Sequence, residues 1–281
     1  MGKGAVSFES DLSLLSIGLQ ANDYVSCGFD KADLVITVGY DIVEYGPKFW
    51  NPRKDKTIIH IDSTLSEVDE NYSPAVEISA DISETLRLLS EKINEPKACT
   101  YNYTLRDYIQ RDLEEHRDNS GCPMKPQKIL WDLRRVMGKD DIVISDVGAH
   151  KMWVARMYPA YEPNTVIISN GFASMGIALP GAIAAKMVYP DRKVVAVCGD
   201  GAFMLNSQEL ETACRLKLPI VTMIWNDGAY GLIGWKQMRR YGKDYGVSFG
   251  NPDFKKYAES FGAAGYRVSC SSELIPILED A

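Results

Sequence analysis

The chain has 281 residues, enough for one large domain or two ordinary ones, and its 46% hydrophobic and 25% charged residues are those of a soluble globular protein. A net charge of −7 argues against nucleic acid or an anionic membrane as partner. No apolar run approaches the roughly 20 residues that a membrane-spanning helix needs. Residues 1–6 show no signal-peptide core. The six cysteines, at 27, 99, 122, 198, 214 and 270, have no C-x-x-C spacing; they read as reduced, which implies a cytoplasmic setting.

In chain order, residues 32–39, 56–62 and 75–79 read as buried strands. Residues 81–93 read as an amphipathic helix with Asp81 as its N-cap. His60 falls mid-strand and reads as a core histidine held by a neighbour. Residues 101–118 form a charged helix whose run 111–117 is a solvated face, and residues 119–123 break it. A second series follows: helix 127–137, strand 141–146, a stretch at 147–153 whose start, 147–150, reads as a loop at the sheet edge, strand 165–169 and helix 177–187. Strand 194–199, a helical pattern over 202–211 and strand 219–225 come next. A helix near 235–241, a helix at 253–261 and a last strand at 265–268 complete the series, and residues 275–281 read as the start of another helix. Strands alternate with helices throughout, which predicts α/β architecture with a doubly wound parallel sheet, preceded by part of a second α/β domain.

Two acidic residues stand out. Gly199-Asp200-Gly201 ends one strand, and Asn226-Asp227 ends the next, with one helical crossover between them. Right-handed crossovers put both ends on one edge of the sheet. Carboxylates there suit a divalent cation, and glycine amides at a helix start suit a phosphate. The bland alternative is two unrelated turns. Val147-Gly148-Ala149-His150 follows another strand; His150 is either an exposed loop histidine, as its own pattern favours, or a phosphate donor. Residues 170–176 form a tight glycine-bearing turn with one bulky apolar side chain, Met175, followed by small residues that allow close helix packing. Neither a dinucleotide fingerprint nor a P-loop is present.

These motifs together resemble the signature of the thiamine-diphosphate enzymes: Gly-Asp-Gly, a spacer of a little under 30 residues in that family's pattern, then Asn-Asn. Residues 146–153, 171–180 and 201–210 look like the acetolactate synthase branch, and residues 27–33 and 43–51 most like its flavin-independent, catabolic type. The resemblance implies that residues 1–95 are the later part of a central Rossmann-like domain, 96–124 a linker with a helix, and 125–281 the diphosphate- and Mg²⁺-binding domain. It implies decarboxylation of pyruvate and joining to a second pyruvate, giving 2-acetolactate for branched-chain amino acid or acetoin biosynthesis. Another thiamine-diphosphate decarboxylase or carboligase, or a non-catalytic binding or assembly fragment, is the alternative.

By position in the motif, Asp200, Asp227 and the Ala229 carbonyl are implied as Mg²⁺ ligands. Ala149, His150 and the Gly201 and Ala202 amides are implied to hold the diphosphate, Val147, Gly148 and Gly199 to bind the cofactor, Met175 to prop it in its bent form, and Tyr230, Leu232 and Ile233 to line its cleft. No catalytic residue is expected in this chain. The glutamate that activates the cofactor belongs to an N-terminal pyrimidine-binding domain, usually of a second subunit, in a homodimer or homotetramer. The chain therefore reads as a fragment that is inactive alone. Three positions depart from the family pattern: Asp227 replaces an asparagine, Lys236 replaces a tryptophan that shapes the acceptor pocket (Trp235 is one place off), and residues 40–45 replace an arginine-bearing FAD turn. FAD is not expected.

Overall fold

The structure, a computed structural model, describes residues 2–17, 24–93 and 100–281. They form two compact units, Ser16–Tyr108 and Met1–Leu15 with Ile109–Ala281. In the first, α1 (Cys27–Lys31) leads to β1 (Leu34–Val38), β2 (Thr57–Asp62) and β3 (Val76–Ser79), which pair in parallel in that order. α2 (Ile82–Lys92) begins where Asp81 accepts a hydrogen bond from the Glu84 amide at 2.8 Å, the expected cap. Trp50, Ile58 and Tyr72 form the core. His60 is buried on β2 with its Nδ1 2.8 Å from the Tyr72 hydroxyl, as a core histidine should be. α3 (Thr100–Glu115) ends in the charged run, whose side chains are exposed or half-buried except Leu113.

The later unit holds α4 (Pro126–Val136), β4 (Ile142–Ser145), α5 (Ala149–Met157), β5 (Val166–Ile168), α6 (Ala178–Val188) and β6 (Val194–Gly199). It continues through α7 (Asp200–Phe203), α8 (Glu209–Arg215), β7 (Val221–Trp225), α9 (Gly231–Tyr241), α10 (Phe254–Ser260) and α11 (Ser271–Asp280). The sheet order is β5-β4-β6-β7 and every pairing is parallel. The first strand of this unit thus lies inside the sheet, and the chain steps to opposite sides from it. That is doubly wound topology with its switch point between β4 and β6.

β4 and β6 are central because both strands are apolar on both faces: Ile142, Val143 and Ile144 of β4 and Val194 to Cys198 of β6 are all buried. α6 lies close on them because Ala178 and Ala182 present almost no bulk; a Cβ on Gly181 would already touch Ile144 at 3.4 Å.

Four expectations are corrected. Residues 265–268 form no strand: the backbone at Gly265 lies against α10, so close to the Lys255 carbonyl that a Cβ would come within 2.5 Å, and β7 pairs only with β6 among the described residues. Ala149 and His150, read as loop, are the first residues of a helix that runs to Met157. The helical pattern after β6 is broken into α7 and α8 by a turn. Cys122 and Cys270 form a disulfide, because α4 and α11 lie against each other and bring their Cα atoms to 5.3 Å across 148 residues of sequence. Cys198 and Cys214 are in no disulfide, and Cys99 lies outside the described residues. No described helix is long and apolar enough to cross a membrane.

Candidate cofactor and metal site

β6 and β7 run side by side with Gly199 opposite Trp225, so Asp200 and Asp227 leave neighbouring strand ends at the carboxyl edge. Asp200 is 1% exposed. Its Oδ1 accepts from the Gly201 amide at 2.8 Å, and its Oδ2 accepts from the Gly228 amide at 2.7 Å and from Asn251 Nδ2 at 2.6 Å. Asp227 is more open. Partial burial, then the charge of Asp200 beside it, raises its carboxyl above the ordinary range. No lysine or arginine pairs with either carboxylate among the described residues.

The turn that carries Asp227 is held from one side by an extended strap, residues 247–251. Tyr230 N donates to the Val247 carbonyl at 2.9 Å, and Phe249 N donates to the Gly228 carbonyl at 3.0 Å. Ala229 faces Ser248 between these two bonds, and neither uses the Ala229 carbonyl. The Phe249 and Tyr230 rings lie 4.8 Å apart over Gly201.

The switch point is filled by His150, in the first turn of α5 and 5% exposed, not a loop residue open to solvent. Its ring wedges between the ends of β4 and β6: a Cβ on Gly148 would lie 2.9 Å from Cε1, and one on Gly199 3.1 Å from Nδ1. Burial pushes its pKa down to about 4, against the pull of Asp146 and Asp200, so the ring is neutral near pH 7. His150 Nε2 and Trp225 Nε1 are both shielded from solvent without a partner among the described residues, and the two rings lie 6.4 Å apart.

Asp146, fully buried at the end of β4, joins this edge to the Met175 turn. Its Oδ1 accepts from the Val147 amide at 2.7 Å and the Gly176 amide at 2.8 Å; its Oδ2 accepts from the Ala178 amide at 2.9 Å. One carboxylate thus fixes the glycine turn after β4, the start of α6 and, next to Gly176, the half-buried Met175.

Val147, Gly148, Ala149, His150, Met175, Gly199, Asp200, Gly201, Ala202, Asp227, Ala229, Tyr230, Leu232 and Ile233 all line one cavity of about 1170 Å³. Sequence reasoning missed three participants, Asp146, Trp225 and Asn251. Trp225 carried one usable signal, an aromatic N–H at the carboxyl end of a strand. Asp146 reads only as the end of strand 141–146 and the first residue of the motif at 146–153, and Asn251 carries no signal of its own. The donor set fits a metal-bound diphosphate: two crowded carboxylates lacking a protein cation, a carbonyl outside the ladder, an indole N–H and a ring nitrogen without partners, and a glycine turn opening a helix.

Comparison with known proteins gives the chain's family. Residues 146–281 match the C-terminal TPP binding domain of thiamine pyrophosphate enzymes, and residues 1–89 match their central domain. The chain is 39% identical to an acetolactate synthase of Bacillus subtilis, over 93% of this chain and 47% of that protein. It is 38% identical to the catabolic acetolactate synthase of Raoultella terrigena, over 100% of this chain and 51% of that protein. It is 29% identical to the large subunit of acetolactate synthase isozyme 3 of Escherichia coli, over 100% of this chain and 50% of that protein. The chain spans about half the length of these relatives. It belongs to the thiamine pyrophosphate enzymes, on the side of the family that the acetolactate synthases occupy.

Proposed function

We propose that the protein carrying this chain is an acetolactate synthase that decarboxylates pyruvate and joins the remaining two-carbon unit to a second pyruvate, giving 2-acetolactate, with thiamine diphosphate and Mg²⁺. The observation that supports this most is the Asp200–Asp227 pair, which has no cationic partner among the described residues and lines the same cavity as His150, whose Nε2 has no partner among them either. In this proposal Asp200, Asp227 and the Ala229 carbonyl hold the metal. The amides of Ala149, Gly201 and Ala202, with His150, meet the diphosphate. Met175 supports the cofactor rings, and Tyr230, Leu232 and Ile233 shield them from water. When bound, thiamine diphosphate supplies the nucleophile and the electron sink for decarboxylation. The chain's own residues bind, orient and desolvate, and none of them stands in the position of the activating glutamate.

A flavin-free enzyme belongs to the same proposal. The turn after β1 carries no arginine over residues 40–45, and its space is taken by rings: Tyr40 OH donates to the Tyr45 carbonyl and accepts from Trp50 Nε1 at 3.1 Å. So does a homodimer or homotetramer; the Cys122–Cys270 disulfide removes the cysteine argument for a cytoplasmic setting. Lys236, exposed on α9, leaves the acceptor pocket unlike that of the tryptophan-bearing branch.

Incubation of the full-length protein with pyruvate, thiamine diphosphate and Mg²⁺ is expected to release CO₂ and 2-acetolactate, with loss of activity on chelation. Consumption of a different 2-oxo acid with no acetolactate would move it to a sister activity. A yellow, flavin-bearing protein would overturn the flavin-free assignment.

A further inference from the structure

We propose that Asn251 is a positioning residue for the metal site, fixing Asp200 so that its Oδ1 alone is offered to the cation. The inference rests on the metal site proposed above. The Asn251 side-chain amide has two N–H bonds and uses both: Nδ2 lies 2.6 Å from Asp200 Oδ2 and 2.8 Å from Asn226 Oδ1. It therefore ties together the ends of β6 and β7, the two strands whose carboxyl termini carry Asp200 and Asp227. It reaches them from the strap at 247–251, which the ladder bonds to Gly228 and Tyr230 already hold in register.

Counting lone pairs gives the consequence. Asp200 Oδ2 accepts from both Asn251 and the Gly228 amide, which uses its two in-plane sites. Among the described residues Asp200 Oδ1 accepts a hydrogen bond from the Gly201 amide alone, which leaves one site for a cation. Asp200 is thus set up as a one-oxygen ligand, which matches the octahedral demand of Mg²⁺ better than the two-oxygen mode common around Ca²⁺. The Asn251 oxygen is shielded from solvent and has no partner among the described residues, so the two donated bonds are what orient the amide.

The test uses the full-length protein with saturating thiamine diphosphate. Mn²⁺ serves as the probe, and free Mn²⁺ is followed by electron paramagnetic resonance. Two variants are compared with the parent: Asn251→Ala, and Asn251→Leu, which keeps the branched shape and removes both donors. Each is expected to bind Mn²⁺ roughly tenfold to hundredfold more weakly. Pyruvate turnover should return at saturating Mn²⁺, so the effect falls on metal affinity and not on kcat. Mn²⁺ binding within twofold of the parent in a folded variant overturns the inference. So does a kcat that stays low at saturating metal with affinity unchanged. If the parent shows no cofactor-dependent Mn²⁺ binding, the metal site itself is wrong and the inference falls with it.

Discussion

His150 is packed between two glycine turns, and that burial decides its protonation. Its pKa in the folded chain is about 4 against an ordinary 6.5, so as pH falls the unfolded chain takes up the proton first. The group's contribution to stability is full above pH 6.5 and is lost progressively as pH falls toward 4; the shift corresponds to roughly 3 kcal/mol. Thermal melts of the metal-free protein across that window should show the loss, and His150→Gln should flatten it. An unchanged slope in the variant would assign the acid limb to other groups. Gly201 is equally constrained by its surroundings. A Cβ there would come 2.7 Å from Tyr230 Cε1 and 3.0 Å from Phe249 Cζ, so both rings must move. Gly201→Ala is expected to cost about 1–3 kcal/mol, seen as lower stability or weaker cofactor binding by calorimetry.

At the scale of elements, Asp146 carries three backbone donors that belong to different segments. Asp146→Ala would leave them buried and unpaired, and a loss of about 3 kcal/mol or more in denaturant unfolding is expected. A loss below about 1 kcal/mol would show that water or relaxation replaces the carboxylate. This edge also shows what was legible in the sequence. β4 and β6 were readable because continuous β-branched runs have one packing solution, a buried parallel strand. The Asp200–Asp227 spacing was readable because a right-handed crossover fixes which edge both residues reach. α5 was not: its N-cap is Gly148 and no Ser, Thr, Asp or Asn marks its start, and it is held by burial of His150, Val154 and Met157. The strap at 247–251 was not readable either. Its bonds to Gly228 and Tyr230 carry no side-chain pattern, so Asn251 looked like an ordinary residue before proline. The Cys122–Cys270 pair was hidden because it depends on how α4 and α11 meet.

For the whole molecule, the chain's family was legible because its motifs sit at strand ends that the topology gathers at one crevice. In the function proposed above, the chain supplies the half of a cofactor site that would anchor a metal and a diphosphate, and the activating glutamate comes from elsewhere in the full-length protein. A polypeptide of these 281 residues alone is therefore expected to show no pyruvate turnover, measured as CO₂ release with added thiamine diphosphate and Mg²⁺. Turnover by that polypeptide would place the activating group within it.

β7 has one further consequence. It ends the sheet, its five residues are only half-buried, and residues 265–268 pass by without pairing to it. Its outer amides and carbonyls form a row with no strand partner among the described residues. Such a row is a template on which another strand can be laid, from any chain whose side chains alternate suitably. In the 281-residue polypeptide this edge should recruit copies of itself. Light scattering should then rise with concentration, and a charged side chain on the rim, as in Thr222→Lys, should suppress it.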